Sequence, residues 1–372
     1  MVPPSPTKPA RLPPPWVVRA FFGFRNMVGR LHAGIAPPEL LLLERSHGLI
    51  GSRTLMIAAE FGIADQLASG PKSAAELAGA VGANADALDR ILGYMVATGS
   101  LGRARDGRYR NNRVSDRLRR DHPQSPRDWI LFAGADWVWD IWGQLGHSVR
   151  SGESGTVNAY HVPYFEYVNQ SNPAAGESFT RALEFYSRIQ GPIVAAKYDF
   201  SGARRLCDIG GGSAILLADV LQLYADVTGV LFEVPQMLAA AQANISARGL
   251  ADRCEFVGGD FFEAVPSGCD LYMMQAVLHD WDDQACTRIL GNVRQSMPAG
   301  ARLLVIEALL ETDSERNNGL LRAIDLLMLV LTGSGRERTK PQFESIFKSA
   351  GFDLTRDLTL PSLAHVFELS PS

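Results

Sequence analysis

The residues with the clearest chemical potential sit where apolar runs end. Leu206-Cys-Asp-Ile-Gly210-Gly211-Gly212 passes through three glycines directly into Ser213-Ala214-Ile215-Leu216-Leu217. A strand that enters a helix through glycines lets a ligand lie against bare backbone N–H groups. A dinucleotide fingerprint starting at Gly210 would need glycine at 215, where Ile215 stands. The spacing therefore favours a nucleoside cofactor without a pyrophosphate. Glu233 follows Gly212 by 21 residues, where a carboxylate in a nucleotide-binding sheet accepts from two ribose hydroxyls. Gly258-Gly259-Asp260-Phe261-Phe262 closes the next run. Asp260 is placed to reach an adenine amino group and Phe261 to cover its ring; the alternative is an Asx turn beside two core phenylalanines.

The fourth run ends in Gln275-Ala-Val-Leu278-His279-Asp280-Trp281-Asp282-Asp283. Open α/β sheets bind ligands beyond the carboxyl ends of their strands, so His279 is expected beside the cofactor. An imidazole with an ordinary pKa near 6.5 takes a proton from an acidic hydroxyl at neutral pH. Asp282 reads as a helix cap and Trp281 as packing.

These residues need a scaffold, and the pattern supplies one. Leu206 to Ile209, Val227 to Val234, Cys254 to Val257, Asp270 to Leu278 and Leu303 to Leu310 are β-rich runs separated by helical stretches. That alternation predicts a doubly wound parallel α/β sheet. Helices over 320–331 and 340–350 follow, then two strands, 352–360 and 364–369, expected to pair antiparallel. From Leu40 to Met95 the period is helical, and Gly99 to Arg110 reads as strand, turn, strand, suggesting a winged helix. Arginines 103, 105, 108, 110, 113, 117, 119 and 120 outnumber Asp106 and Asp116 there. That patch raises a nucleic-acid reading, but the alanine-rich stretch 74–87 makes a poor base-reading helix. Aromatic residues crowd 129–198, mostly as core, with a minority able to wall a pocket for a flat organic molecule. The proline-rich N-terminus reads as an extended arm whose aromatic end packs on a partner subunit or stays disordered.

Composition sets outer limits. The chain has 372 residues, 46% of them apolar and 20% charged, enough for two domains. A net charge of −4 argues against a surface devoted to polyanions. Cys207, Cys254, Cys269 and Cys286 lack any C-x-x-C pair, which argues against a zinc ribbon or a disulfide framework and suits a reducing cytoplasm. No apolar run reaches the ~18 residues of a membrane span, so a soluble protein is expected. No His, Asp or Glu cluster has metal-site spacing, and metal independence is expected.

Leu206 to Gly212, Phe232-Glu233-Val234-Pro235, Gly259-Asp260-Phe261-Phe262, Leu278-His279-Asp280-Trp281, Gly335-Arg-Glu337-Arg-Thr339 and Ala350-Gly351-Phe352 occur in this order. The series resembles the S-adenosylmethionine-dependent O-methyltransferases related to plant caffeate and bacterial polyketide enzymes, across nearly the whole chain. The resemblance implies a Rossmann-like methyltransferase domain with an antiparallel last strand and a mainly helical, winged-helix-like domain serving homodimerisation. It also implies S-adenosylmethionine as donor, a hydroxylated aromatic acceptor, and no nucleic-acid or membrane partner. The boundaries it suggests are 1–36 for the arm, 37–125 for the dimerisation domain, 126–200 for a helical linker and pocket region, and 201–372 for the catalytic domain.

By position the resemblance assigns His279 as general base and Asp325 and Glu337 as the acids flanking it. A carboxylate on one ring nitrogen fixes the tautomer and stabilises the imidazolium formed when the other nitrogen accepts a proton. Asp325, inside Ala323-Ile-Asp-Leu-Leu-Met, would otherwise be an unpaired acid in an apolar helix. Donor binding falls to Asp208, Gly210, Gly211, Gly212, Glu233, Val234, Gly259, Asp260, Phe261, Gln275 and Ser187. Trp137, Trp142, Phe185, Tyr186, Asp280, Met328 and Leu329 are the expected acceptor contacts. The chain departs from the family at Ala214, where a third glycine is common, and at Gln275, where many members have lysine. Two other readings stand beside methyl transfer: a same-fold tailoring enzyme of decarboxylase or hydroxylase type, and a winged-helix DNA-binding regulator.

Overall fold

The computed structural model describes residues 13–311 and 319–372. Contacts divide the chain into two units: Arg30–Asp140 with Asn172–Phe185, and Ile141–Ser171 with Tyr186–Ser372 and the chain up to Gly29.

The expected extended arm is a helix from Pro15 onward. Pro3, Pro4, Pro6 and Pro9 lie outside the described residues, and α1 spans Pro15–Ile35. Pro15 takes the first helical position, where a missing N–H costs nothing. Val17, Phe21, Phe24, Val28, Leu31 and Ile35 then recur at three- and four-residue spacing, so the helical period prevails over the preceding prolines.

The helical unit holds α2 (Pro38–Ser46), α3 (Gly48–Glu60), α4 (Ile63–Gln66), α5 (Ala74–Val81) and α6 (Ala85–Ala97). Ser73 and Glu76 form a capping box at the start of α5, and Asn84 caps α6, satisfying N–H groups the helix leaves unpaired. Leu77, Leu88, Leu92, Met95 and Tyr109 build its core. The predicted wing is present as β1 (Gly102–Arg103) antiparallel to β2 (Tyr109–Arg110). Three arginines of the patch are ion-paired locally: Arg108 with Asp106, Arg119 with Asp116 and Asp121, Arg120 with Asp65. The region after the wing is helical, as expected: α7 (Arg127–Ala133), α8 (Asp136–Trp142), α9 (Leu145–Ser151), α10 (Gly155–Tyr160), α11 (Tyr164–Glu166) and α12 (Pro173–Lys197).

The other unit is built on one sheet. Its strands are β3 (Arg205–Ile209), β4 (Thr228–Glu233), β5 (Cys254–Gly258), β6 (Leu271–Gln275), β7 (Arg302–Leu310), β8 (Arg338–Thr339), β9 (Phe352–Thr359) and β10 (Ala364–Pro371). The order is β5-β4-β3-β6-β7-β10-β9, with β8 added parallel to β7. β3 to β7 run parallel, whereas β10 is antiparallel to β7 and β9 to β10. Alternate residues point to opposite faces. Leu206, Leu231, Met273 and Ile306 join a core with Val194, α13 (Ile215–Leu223) and α14 (Leu238–Ala247). Cys207, Val230, Tyr272 and Val305 join a core with α15 (Asp283–Ser296) and α17 (Lys340–Ser349). Between them lies α16 (Gly319–Thr332) in sequence.

Two features position the site. The chain leaves β3 toward β4 and β5, then crosses back to β6 on the other side, which makes the β3–β6 boundary the topological switch where such sheets bind ligands. And β6 ends at Gln275, earlier than the apolar run suggests, because Ala276 adopts a left-handed φ of +52°. Among the described residues no helix is long and apolar enough to cross a membrane.

Candidate active site

At the tip of β3, Gly210 (φ +67°) and Gly212 (φ +54°) take left-handed backbone, and a Cβ at Gly211 would run into the Asp208 carboxylate. Ala214 starts α13 at φ +57°, a conformation costing an L residue roughly 1–2 kcal/mol. The bend is tied to β4. Gly210 N–H donates to Phe232 O at 2.8 Å, Gly212 N–H to Glu233 Oε2 at 2.9 Å, and Val234 N–H to Glu233 Oε1 at 2.8 Å. Gly259 N–H donates to Glu233 O at 3.1 Å. A Cβ at Gly210 would come within 3.0 Å of Val277 and 3.9 Å of the Phe261 ring. The tips of β3, β4, β5 and β6 therefore meet at one crevice.

Asp208 lies beneath the bend, 1% exposed, with neither carboxylate oxygen hydrogen-bonded. Burial, reinforced by Glu233, pushes it up to about 8. A buried acid without a partner is the complement of a cationic ligand. Gln275 Nε2 is likewise buried without a partner. Asp260 forms the Asx turn, accepting from Phe262 N–H at 2.8 Å, while Phe261 and Phe262 pack against Trp281 at 6.0 and 4.7 Å.

Beside this crevice, the turn after β6 carries the titratable cluster. Val277 and Leu278 N–H groups both donate to Glu307 Oε1, at 3.0 and 2.8 Å. His279 Nδ1 lies 2.9 Å from Glu337 Oε1, and its Nε2 lies 3.7 Å from Asp280 Oδ1. With Glu337 as acceptor, Nδ1 carries the proton in the neutral ring, leaving Nε2 the basic nitrogen. Burial opposes a charged imidazole, but Asp280, Glu337 and Glu307 outweigh it and push His279 up to about 10. Burial raises Asp280 to about 6 and Glu307 to about 7, against the pull of the imidazole. The cluster thus holds a proton firmly in its resting state.

Asp325 makes no hydrogen bond or ion pair with the imidazole. Its Oδ1 accepts from Glu337 N–H at 3.0 Å and its Oδ2 lies 3.8 Å from Arg322. The acid in the apolar helix does find a partner, but that partner is the backbone carrying Glu337. The buried acid that sequence reasoning missed is Glu307, only 2% exposed. Its signal was present: a lone glutamate in Leu303-Leu-Val-Ile-Glu-Ala-Leu-Leu310, where a charge has no place without a structural reason.

Tyr186 on α12 is raised by burial and by Glu337 and Glu307, and Tyr164 by burial and by Asp280, so both hydroxyls border the cluster. Phe165 stacks on Trp281 at 5.4 Å. Ser187 follows Tyr186 on the same helix and is partly buried. Met328 is buried on α16 and Leu329 is half-buried beside it; the end of that helix is held by Ser154 and Thr156 hydroxyls donating to Leu331 O. Trp142 belongs to this unit. Trp137 and Phe185 belong to the helical unit, where Trp137 packs edge-on against Phe132.

The O-methyltransferase domain family matches residues 142–353. The chain belongs to the O-methyltransferase family. Residues 43–121 match the O-methyltransferase dimerisation domain, so the winged-helix-like unit carries that domain. The mitomycin biosynthesis 6-O-methyltransferase of Streptomyces lavendulae is 38% identical over 310 residues, 82% of this enzyme and 87% of that one. The phenazine O-methyltransferase of Lysobacter antibioticus is 35% identical over 339 residues, 91% and 98% of the two chains. The structure of human N-acetylserotonin methyltransferase in complex with S-adenosylmethionine superposes with a TM-score of 0.82 at 28% identity, covering 91% of this enzyme and 98% of that chain. The methyl donor of this methyltransferase is S-adenosylmethionine, and the unpartnered Asp208 beside a glycine cradle suits its positive charge.

Proposed function

We propose that the enzyme methylates a hydroxyl of an aromatic or polyketide-like small molecule, with His279 as the general base. The acceptor class rests on relatives named for mitomycin biosynthesis and phenazine O-methylation. One observation carries the base: His279 is anchored through Nδ1 on Glu337 at 2.9 Å, which leaves Nε2 to receive a proton at the tip of the strand adjoining the glycine bend. S-adenosylmethionine supplies an electrophilic sulfonium methyl group.

The chain contributes position and one proton acceptor. Glu233 has its plane fixed by the N–H groups of Gly212 and Val234, so its outer lone pairs are set for ribose hydroxyls. Asp208 and Gln275 line the donor crevice, with Ser187, Gly259, Asp260 and Phe261 completing it. Tyr186, Asp280, Met328 and Leu329 border the acceptor, with Trp142 from the same unit. When Nε2 takes the hydroxyl proton, Glu337, Asp280 and Glu307 stabilise the imidazolium. Orientation of two reactants supplies much of the acceleration, on the order of 7–11 kcal/mol in favourable cases.

The working form is a cytoplasmic homodimer. Twelve of the twenty exposed large apolar side chains among the described residues fall between Trp16 and Ile50, a concentration typical of an interface. The four cysteines are free, as suits a reducing compartment. Dimerisation in place of nucleic-acid binding agrees with the match of residues 43–121 to the O-methyltransferase dimerisation domain.

His279→Gln tests the reading. Donor binding by calorimetry is expected to persist while methyl transfer falls about 10²–10⁴-fold. Wild-type turnover in that variant would remove His279 from the chemistry. In the parent, the rate is expected to rise with pH as the imidazole loses its proton.

A further inference from the structure

Arg338 is fully buried, at 0% exposure. A guanidinium taken out of water needs a compensating reason. Its ion pair with Asp283 does not provide one, because that carboxylate is 62% exposed and could be paired equally well at the surface. The other side of the fork is more informative. Nη1 donates to Leu278 O at 2.9 Å and Nη2 to Trp281 O at 2.6 Å. Those two carbonyls bracket His279 and Asp280.

The preceding residues grip the same turn. A Cβ at Gly335 would lie 2.7 Å from His279 O, so glycine lets the two backbones approach. Arg336 N–H donates to His279 O at 2.8 Å, and Glu337 holds the ring. Cys286 Sγ adds a weak contact to Leu278 O at 3.2 Å. Four consecutive residues, 335–338, thus fix both the backbone and the imidazole of His279.

We propose that Arg338 is a positioning residue for methyl transfer: its planar guanidinium spans the carbonyls of Leu278 and Trp281 and sets the angle at which His279 meets Glu337 and the acceptor hydroxyl. This rests on the general-base reading of His279. Lysine is a compact point donor and cannot hold two separated carbonyls in one plane.

The test compares full-length Arg338→Met and Arg338→Lys with the parent. It follows the His279 ring protons by NMR, S-adenosylhomocysteine binding by calorimetry, and turnover with a dihydroxynaphthoate as acceptor probe. Asp280, Glu307 and Glu337 act on the imidazole, with the hydroxyls of Tyr164 and Tyr186 bordering the same cluster. Were Arg338 simply a nearby cation, removing it would raise the imidazole midpoint; loosening the ring from Glu337 lowers it. The expected result for Arg338→Met is a midpoint lower by about one unit or more. Turnover should fall about 10²-fold, with S-adenosylhomocysteine affinity within about threefold. Arg338→Lys should recover part of both losses. A folded Arg338→Met with an unchanged or raised midpoint overturns the proposal. If that variant does not fold, Arg338→Lys decides, and a parental midpoint in it overturns the proposal too. His279→Gln run alongside keeps the two readings apart: parental turnover there defeats the base assignment, while the Arg338 midpoint is judged by itself.

Discussion

The tips of β3 and β6 lie side by side, and each turns near a left-handed alanine, Ala214 in one and Ala276 in the other. They differ in what they present. The β3 bend offers glycines with no side chain in the way and one unpartnered acid beneath them, Asp208, while the Gly210 and Gly212 N–H groups tie the bend to β4. The β6 turn offers almost no free backbone: its N–H groups are spent on Glu307 and its carbonyls on Arg338 and Arg336. Under the proposed function one tip receives the donor, whereas the other is immobilised so that a single imidazole keeps its direction. A cradle of backbone is spoiled by added bulk. A buried charge cluster is spoiled by a changed charge at constant shape.

Among changes that set one tip against the other, the largest effect should come from Glu307→Gln, which keeps an acceptor for Val277 and Leu278 but removes a charge facing His279. Turnover is expected to fall about 10²-fold, with S-adenosylhomocysteine affinity unchanged within about threefold. The rising limb of the pH–rate profile should also move to lower pH, because a carboxylate that stabilises the imidazolium is gone. Loss of donor binding with turnover intact would reverse the contrast between the tips.

Gly211→Ala makes the opposite cut. Its Cβ meets the Asp208 carboxylate and Leu231, and overpacking of this kind costs about 1–3 kcal/mol of stability. Donor affinity should drop while the His279 midpoint stays near that of the parent. Calorimetry and NMR on the same sample would show whether the two tips are independent; a midpoint shift would show that they are not.

The smallest effect concerns Asp208 alone. Its pKa is raised in the folded chain to about 8 from a usual 3.8, so without donor the folded state retains a proton that the unfolded chain has released. Stability from this group is fully present below about pH 4 and is lost as pH rises toward 8. Asp208→Asn removes that dependence. Its advantage over the parent in urea unfolding should grow between pH 5 and 8, to on the order of 1–3 kcal/mol, and shrink when donor is added to the parent. An advantage independent of pH would contradict the buried, unpartnered state of this acid.

The β3 bend was legible because its determinants are local. The Gly210–Gly212 bend, the apolar run before it and Glu233 at the next strand end can be read from spacing, since a strand-to-helix turn is confined to a few consecutive residues. The parallel core was legible for a similar reason: strands buried on both faces read as continuous apolar runs. The N-terminal helix was obscured by the prolines before it, although Val17 to Ile35 carries the helical period. Asp325 drew attention as an acid in an apolar helix, yet the same reasoning applied to Leu303–Leu310 marks Glu307 more strongly.

The sequence by itself determined which segments become strands and helices and where the chain bends through glycines, because periodicity and glycine placement act over short distances. Only the tertiary structure decided that Glu307 joins Glu337 around His279 while Asp325 holds the backbone of Glu337. Glu307 approaches His279 from β7 and Glu337 from the segment entering β8, a two-residue strand that no local pattern announces, and the pairing of buried charges depends on distances in space that spacing along the chain does not encode.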